Sequence, residues 1–131
     1  LLSDGECDEG SNWEAILFAA HHKLDNLTVI IDRNRLQSIS STEDTLALEP
    51  LAHKWKSFGW DVVEINGHNH NEISQSCSNK NYLNSKPLCV IANTIKGKGI
   101  SFMENNTLWH YRSPKEEEYR SAMEELEKKD A

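Results

Sequence analysis

No stretch of the 131-residue chain approaches the ~20 consecutive apolar residues of a membrane-spanning helix. A membrane-embedded role is therefore not expected. Positive charge is the scarcer sign: 14 Lys and Arg stand against 21 Asp and Glu, a net charge of −7. A nucleic-acid surface needs clustered Lys and Arg to displace counterions from phosphates, so none is expected here. Cysteine is scarce as well. Cys7, Cys77 and Cys89 form an odd set without metal-ligand spacing, which excludes a disulfide framework and a zinc site and points to a reduced, cytoplasmic setting. With only six Gly and three Pro there is no flexible linker, repeat or low-complexity tract. What remains is a 37% hydrophobic chain with four Trp, enough for one packed core.

The chain opens on Leu1-Leu2-Ser3-Asp4-Gly5, which reads as the last rungs of a buried strand running into a turn. Residues 1–131 are therefore expected to be a partial domain whose N-terminal portion is missing. Ser11 or Asn12 can cap a helix to about Leu24, with Trp13, Ile16, Leu17, Ala20 and Leu24 as its apolar face. Leu27–Ile31 reads as a strand buried on both faces, followed by a polar loop to Thr45. Pro50 starts a second helix that Gly59 stops. Trp60–Ile65 and Pro87–Ala92 are further strands, separated by a weaker helix over about Asn71–Leu83. Lys115–Lys129 reads as an exposed charged helix. Such alternation implies an α/β three-layer domain with a mainly parallel sheet, whose ligands bind beyond the carboxyl ends of the strands.

Two of those strand ends carry a chemical pair. Asp4 and Asn34 are separated by one helix and one strand, so both can reach the same edge of neighbouring strands. A carboxylate, an amide oxygen and a nearby backbone carbonyl are hard ligands of the kind Mg²⁺ prefers, with phosphate oxygens completing the shell. Gly5 leaves room for a diphosphate to approach the backbone, and the helix behind it adds a positive dipole end. Taken alone, Asp-Gly and Asp-Arg-Asn are equally readable as ordinary polar turns.

The run Ser3-Asp4-Gly5-Glu6-Cys7-Asp8-Glu9-Gly10-Ser11-Asn12-Trp13-Glu14-Ala15, continued by Ala19 to Leu27, resembles the N-terminal segment of transketolases. The split bacterial form, in which this half is a separate subunit, is the nearest match. Collinear likenesses follow at Phe58-Gly59-Trp60, Asn66-Gly67-His68, Thr94 to Gly99, Ser101 to Asn106 and Trp109-His110. The resemblance implies a thiamine-diphosphate-binding fold that uses thiamine diphosphate and Mg²⁺ (or Ca²⁺). It implies Asp4, the Asn34 side-chain oxygen and the Leu36 carbonyl as metal ligands. Gly5, with its neighbour Glu6, falls on the diphosphate side, Glu9 near a dimer interface, and His110 near the cofactor and substrate as an oxyanion stabiliser or proton carrier. Glu9 and His110 are thus the two implied catalytic residues. By their own chemistry Glu9 also reads as a helix N-terminal charge, His110 as a surface histidine, and Lys96 and Lys98 as either phosphate partners or solvated loop residues. Cys7 lacks an activating histidine and is not read as a nucleophile.

The implied activity is transfer of a two-carbon ketol unit between sugar phosphates, the cofactor carrying the carbanion chemistry. The glutamate that activates the cofactor belongs to the complementary C-terminal half or subunit, so this chain is expected to be inactive alone. A homodimer or heterotetramer is expected. Departures from the family pattern are Ser3 for the first Gly, Arg33 near the metal edge, Ser38 to Ser41 for Asp-Gly, and Tyr111 after the histidine. A deoxyxylulose phosphate synthase or decarboxylating dehydrogenase subunit would use the same anchor, though Lys96–Gly99 and Glu104–His110 favour transketolase. A non-catalytic remnant or interaction module is the third reading, supported by Arg33 and Tyr111.

Overall fold

A computed structural model describes residues 1–78 and 85–129. Four strands, β1 (Leu2–Ser3), β2 (Thr28–Arg33), β3 (Asp61–Asn66) and β4 (Leu88–Asn93), form one sheet in the order β1-β2-β4-β3. Every pairing is parallel, with Ser3 opposite Asp32, Arg33 opposite Asn93, and Asn66 opposite Asn93 from the other side. All strands therefore end at one edge, where the loops after Ser3, Arg33, Asn66 and Asn93 gather.

The strand residues divide by parity, as pleating requires. Val29, Ile31, Val62, Cys89 and Ile91 face α1 (Gly10–His21) and α3 (Leu51–Ser57), whose Ile16, Ala19, Leu51 and Trp55 complete the larger core. Ile30, Val63, Ile65, Val90 and Ala92 face the opposite side, where Ile73 of α4 (His70–Ser78) packs. The three-layer α/β architecture is as expected, with the sheet wholly rather than mainly parallel. Trp60 ties the larger core together: its ring meets Trp55 edge-on at 4.8 Å, and its indole N–H donates to the Ile16 carbonyl at 2.9 Å. Gly59, at φ +93°, takes the left-handed turn that stops α3.

Several expectations shift. The first helix starts at Gly10 with Glu9, not Ser11 or Asn12, at its N-cap, and ends at His21. Leu17, placed on its apolar face, is 57% exposed, and Phe18 is exposed beside it. Leu1 is exposed rather than part of a buried rung. The polar stretch after β2 contains a short helix, α2 (Thr42–Thr45), capped by the Ser41 hydroxyl. Helix α5 (Glu116–Lys129) is charged, but Ala122 is buried. The expected extension of the α4 helix through residues 79–83 lies outside the described residues. Among the described residues no helix is long and apolar enough to cross a membrane.

Candidate functional site

Asp4 follows β1 directly, and its backbone N–H donates to the Asp32 carbonyl at 3.2 Å, continuing the ladder by one rung. The side chain is thereby pinned beside the end of β2. It is buried, at 1% exposure, and its Oδ2 accepts from the Arg35 backbone N–H at 2.6 Å and from Arg33 Nη1 at 3.1 Å. Both bonds fall on one oxygen. Arg35 reaches Asp4 because its φ is +66°, a left-handed turn that a side-chain-bearing residue adopts only under local constraint.

The turn after β2 is organised for oxygen presentation. Asn34 Oδ1 accepts from the Leu36 N–H at 3.0 Å, leaving one lone pair on the amide oxygen. Leu36 faces Ser41 across a short antiparallel bridge. The ladder bonds run on either side of that pair, Thr42 N–H to the Arg35 carbonyl at 3.0 Å and Gln37 N–H to the Ser40 carbonyl at 2.8 Å. Leu36 and Ser41 are thus the non-hydrogen-bonded pair, and the ladder does not use the Leu36 carbonyl.

A cleft of about 440 Å³ at this edge is lined by Ser3, Asp4, Gly5, Glu6, Glu9, Asp32, Asn34, Leu36, Gln37, Ser38, Lys96 and His110. All seven residues singled out in the sequence, Asp4, Gly5, Glu6, Glu9, Asn34, Leu36 and His110, therefore share one cavity. Glu6 is engaged locally: its Oε2 accepts from the Ser3 N–H at 2.7 Å and from the Ser3 hydroxyl at 3.0 Å. These bonds, the backbone one foremost, hold its carboxyl below the usual range. A Cβ on Gly5 would stand 3.4 Å from the Gln37 side chain, which is itself held by Asp8 Oδ2 at 2.6 Å. His110 is exposed and meets only the Tyr111 ring, at 4.8 Å.

Asp32, Gln37 and Ser38 also line the cleft, although the sequence motifs do not single them out. Asp32 accepts from the Thr94 hydroxyl, joining the β2 and β4 ends. The signal for Asp32 is its place as the penultimate residue of an inner strand, opposite Ser3. Lys96, readable from sequence as phosphate partner or solvated loop, is in the cleft, whereas Lys98 pairs with Glu104 at 3.7 Å and lies outside it. A larger recess of about 900 Å³ lies beyond Asn34, but its titratable groups are already engaged. His68 Nε2 accepts from the Ile95 N–H at 2.8 Å and Glu72 Oε2 from the Asn66 N–H at 2.7 Å. The smaller cleft is where the free oxygens converge.

Charge decides what the cleft suits. Asp4, Glu6, Glu9 and Asp32 outnumber Lys96, so a bare diphosphate would meet net repulsion. A diphosphate accompanied by a divalent cation would not. No cluster of three His, Cys, Asp or Glu able to hold a metal occurs among the described residues. The donors on offer are instead one carboxylate, one amide oxygen and one carbonyl, a hard set that fits Mg²⁺ or Ca²⁺ completing its shell with phosphate oxygens and water.

Cys7 adjoins the turn but is buried, and desolvation, with Asp4 and Asp8 adding to it, pushes its thiol up to about 12. Cys89 is likewise buried and raised, foremost by desolvation. Only Cys77 is exposed. Labelling the folded chain with a thiol reagent is accordingly expected to modify Cys77 alone, with Cys7 and Cys89 reacting after denaturation, as mass spectrometry of the peptides would show.

The family model described as "Transketolase, thiamine diphosphate binding domain" matches residues 1–129. One of the two subunits of apulose-4-phosphate transketolase from Phocaeicola vulgatus is 44% identical over 126 residues, 96% of this chain and 45% of that protein. The 6-deoxy-6-sulfo-D-fructose transketolase subunit SqwG of a Clostridium species is 42% identical over 131 residues, all of this chain and 48% of the relative. The chain thus spans about half the length of the curated relatives it matches. Among solved structures, transketolase from Campylobacter jejuni superposes with a TM-score of 0.86 at 30% identity, over 95% of this chain and 20% of that one. With that match running through both halves of the acid–amide cleft, the chain belongs to the thiamine-diphosphate-binding, N-terminal domain family of transketolases.

Proposed function

We propose that this chain supplies the metal–diphosphate anchor of a transketolase-type transferase, which moves a two-carbon ketol unit between sugar phosphates. The observation that carries the reading is the convergence of Asp4, Asn34 and Leu36 on one cleft, each with an oxygen left over after its local bonds. Thiamine diphosphate supplies the carbanion-stabilising chemistry when bound. The residues of this chain do the rest. Asp4 Oδ1, Asn34 Oδ1 and the Leu36 carbonyl would hold Mg²⁺ or Ca²⁺, and Gly5 and Lys96 would receive the diphosphate. Glu6 shapes the turn that presents Gly5, through its two bonds to Ser3. His110, exposed at the cleft wall, is placed to move a proton at the substrate, and Glu9 to meet a carboxylate from the other half.

Relatives that are themselves named as transketolase subunits imply a complementary polypeptide. We infer that this other half carries the activating glutamate, that the working assembly is a homodimer or heterotetramer, and that this chain is inactive without it. The three free cysteines suit work in the reducing cytoplasm. The substrates named for the relatives are a sugar phosphate and a sulfosugar, and an anionic ketose is the class proposed here.

The test supplies the chain with its complementary half and titrates thiamine diphosphate with and without Mg²⁺. Binding that requires Mg²⁺, and ketol transfer from xylulose 5-phosphate to ribose 5-phosphate, are the expected results. Asp4→Asn keeps an acceptor for Arg33 and Arg35 but removes the charge, and is expected to weaken Mg²⁺-dependent binding at least about tenfold. Absence of any such binding by the assembled wild type would leave the interaction-module reading standing.

A further inference from the structure

Arg33 is an unusual neighbour for a cation site. Its side chain is 2% exposed, and it lies two positions beyond Ile31, on the same face of β2, so its guanidinium turns inward rather than into the cleft. There it spans three segments. Nη1 donates to Asp4 Oδ2 at 3.1 Å and to Thr42 Oγ1 at 2.9 Å, while Nη2 donates to Glu49 Oε1 at 2.8 Å. Glu43 Oε1, at 3.5 Å from Nη2, also accepts the Leu48 N–H at 3.1 Å. Thr42 is wholly buried, so its hydroxyl has no freedom to follow a displaced partner.

A carboxylate beside a metal can rotate, and each rotamer offers a different oxygen. Here the Arg35 N–H and the Arg33 guanidinium fix the same oxygen, Oδ2, from the protein side. We propose that Arg33 is a positioning residue for Asp4. It holds Oδ2 against the fold so that Oδ1 is the oxygen presented to a divalent cation. Through Thr42 and Glu49 it also couples that orientation to the 42–49 segment and the start of α3. The proposal rests on the reading of the cleft as a metal–diphosphate anchor.

A planar, two-nitrogen fork is what this role needs, because one nitrogen serves Asp4 and Thr42 while the other serves Glu49. Lysine offers one nitrogen and cannot serve all three. The test compares wild type, Arg33→Lys, Arg33→Met and Thr42→Val, each assembled with the complementary half. Mn²⁺ and Mg²⁺ are titrated in the presence of thiamine diphosphate, and far-UV circular dichroism monitors folding.

Arg33→Met is expected to lose at least about tenfold in Mg²⁺ affinity, and Arg33→Lys to fall between it and wild type. Thr42→Val removes one acceptor of the fork and is expected to lose a smaller factor, which keeps the test decisive if Arg33→Met does not fold. Asp4→Asn combined with Arg33→Met should bind Mg²⁺ no more weakly than Asp4→Asn alone, since both act through one oxygen. A metal-free readout accompanies these: the thermal midpoints of the same double-mutant cycle should be non-additive.

Folded Arg33→Met or Thr42→Val that binds Mg²⁺ as tightly as wild type, or more tightly, would overturn the positioning role. In the latter case Arg33 would be a competitor of the cation. Wild type that binds no Mg²⁺–thiamine diphosphate would instead sink the anchor reading itself, and the two failures are told apart by which protein fails.

Discussion

Replacement of Arg33 by methionine is expected to lower the unfolding free energy by about 3–5 kcal/mol, the cost of leaving a buried charge without its partner. The partner that sets this magnitude is Asp4, whose side chain is 2% exposed. Glu43 and Glu49 are 43% and 51% exposed, so water takes over most of what the guanidinium gives them. Asp4→Asn in the same background removes the stranded charge and is expected to restore part of the loss, the signature of one shared interaction. Urea unfolding of the two single variants and the double variant measures all three terms.

The same network has a pH signature. Burial works against the charge on Arg33, but bonds from Glu49 and Asp4 outweigh it and leave the guanidinium more basic than usual. Glu49 is held below the usual carboxylate range, foremost by Arg33 and then by the Leu51 N–H. A carboxylate with a depressed folded value stabilises fully above its unfolded value of about 4.3 and loses that contribution as pH falls through the folded value. Wild type should therefore lose thermal stability below about pH 4, and Arg33→Met should show a shallower acid limb there.

Much of this arrangement is readable in the residues. Two turns flanking one helical crossover had to meet at one sheet edge, because parallel neighbours end together, and Ser3 opposite Asp32 is the result. Asp4, Asn34 and Leu36 follow from that register alone. Arg33 reads from sequence as a cation near the metal edge, and its distance from Asp4 fits, but its direction does not follow from that reading. Strand parity carries the missing signal: Ile31 faces the larger core, so Arg33 must point the same way, and it reaches the carboxylates from beneath.

Helical spacing misleads at Leu17 for the opposite reason. A period of three to four residues identifies an apolar residue without saying which body it faces, and only Ile16 and Ala19 of α1 are fully buried in this core. The first helix also ends before Leu24, because Lys23 turns left-handed at φ +52°. Lys96 and Lys98 are indistinguishable as letters. Only the path of the loop between Asn93 and Asn106 sends one into the cleft and the other to Glu104.

That path depends on Gly97, and Gly97→Ala is expected to cost about 2–5 kcal/mol in stability, combining a left-handed penalty of about 1–2 with an overpacking penalty of about 1–3. Gly97 has φ +75°, and a Cβ there would stand 2.5 Å from the Met103 carbonyl oxygen and 2.7 Å from its carbon. These are backbone atoms, which cannot rotate aside as a side chain can. Their strand of the loop is tied down in turn, Met103 N–H to the Ile100 carbonyl at 2.9 Å and Asn105 N–H to the Lys96 carbonyl at 3.0 Å. Relief of the clash must therefore move Lys96, the one lysine lining the acidic cleft. Gly99→Ala is the control: φ is +107°, but the added carbon would meet only the Leu126 side chain at 3.5 Å. It should show the conformational penalty of about 1–2 kcal/mol without the steric one. Thermal and urea unfolding of both variants separate the two contributions. If Lys96 receives the diphosphate, Gly97→Ala should also weaken thiamine diphosphate binding by more than Gly99→Ala does, at equal Mg²⁺. Equal losses of stability in the two variants would mean that Met103 yields freely and that the loop does not fix Lys96.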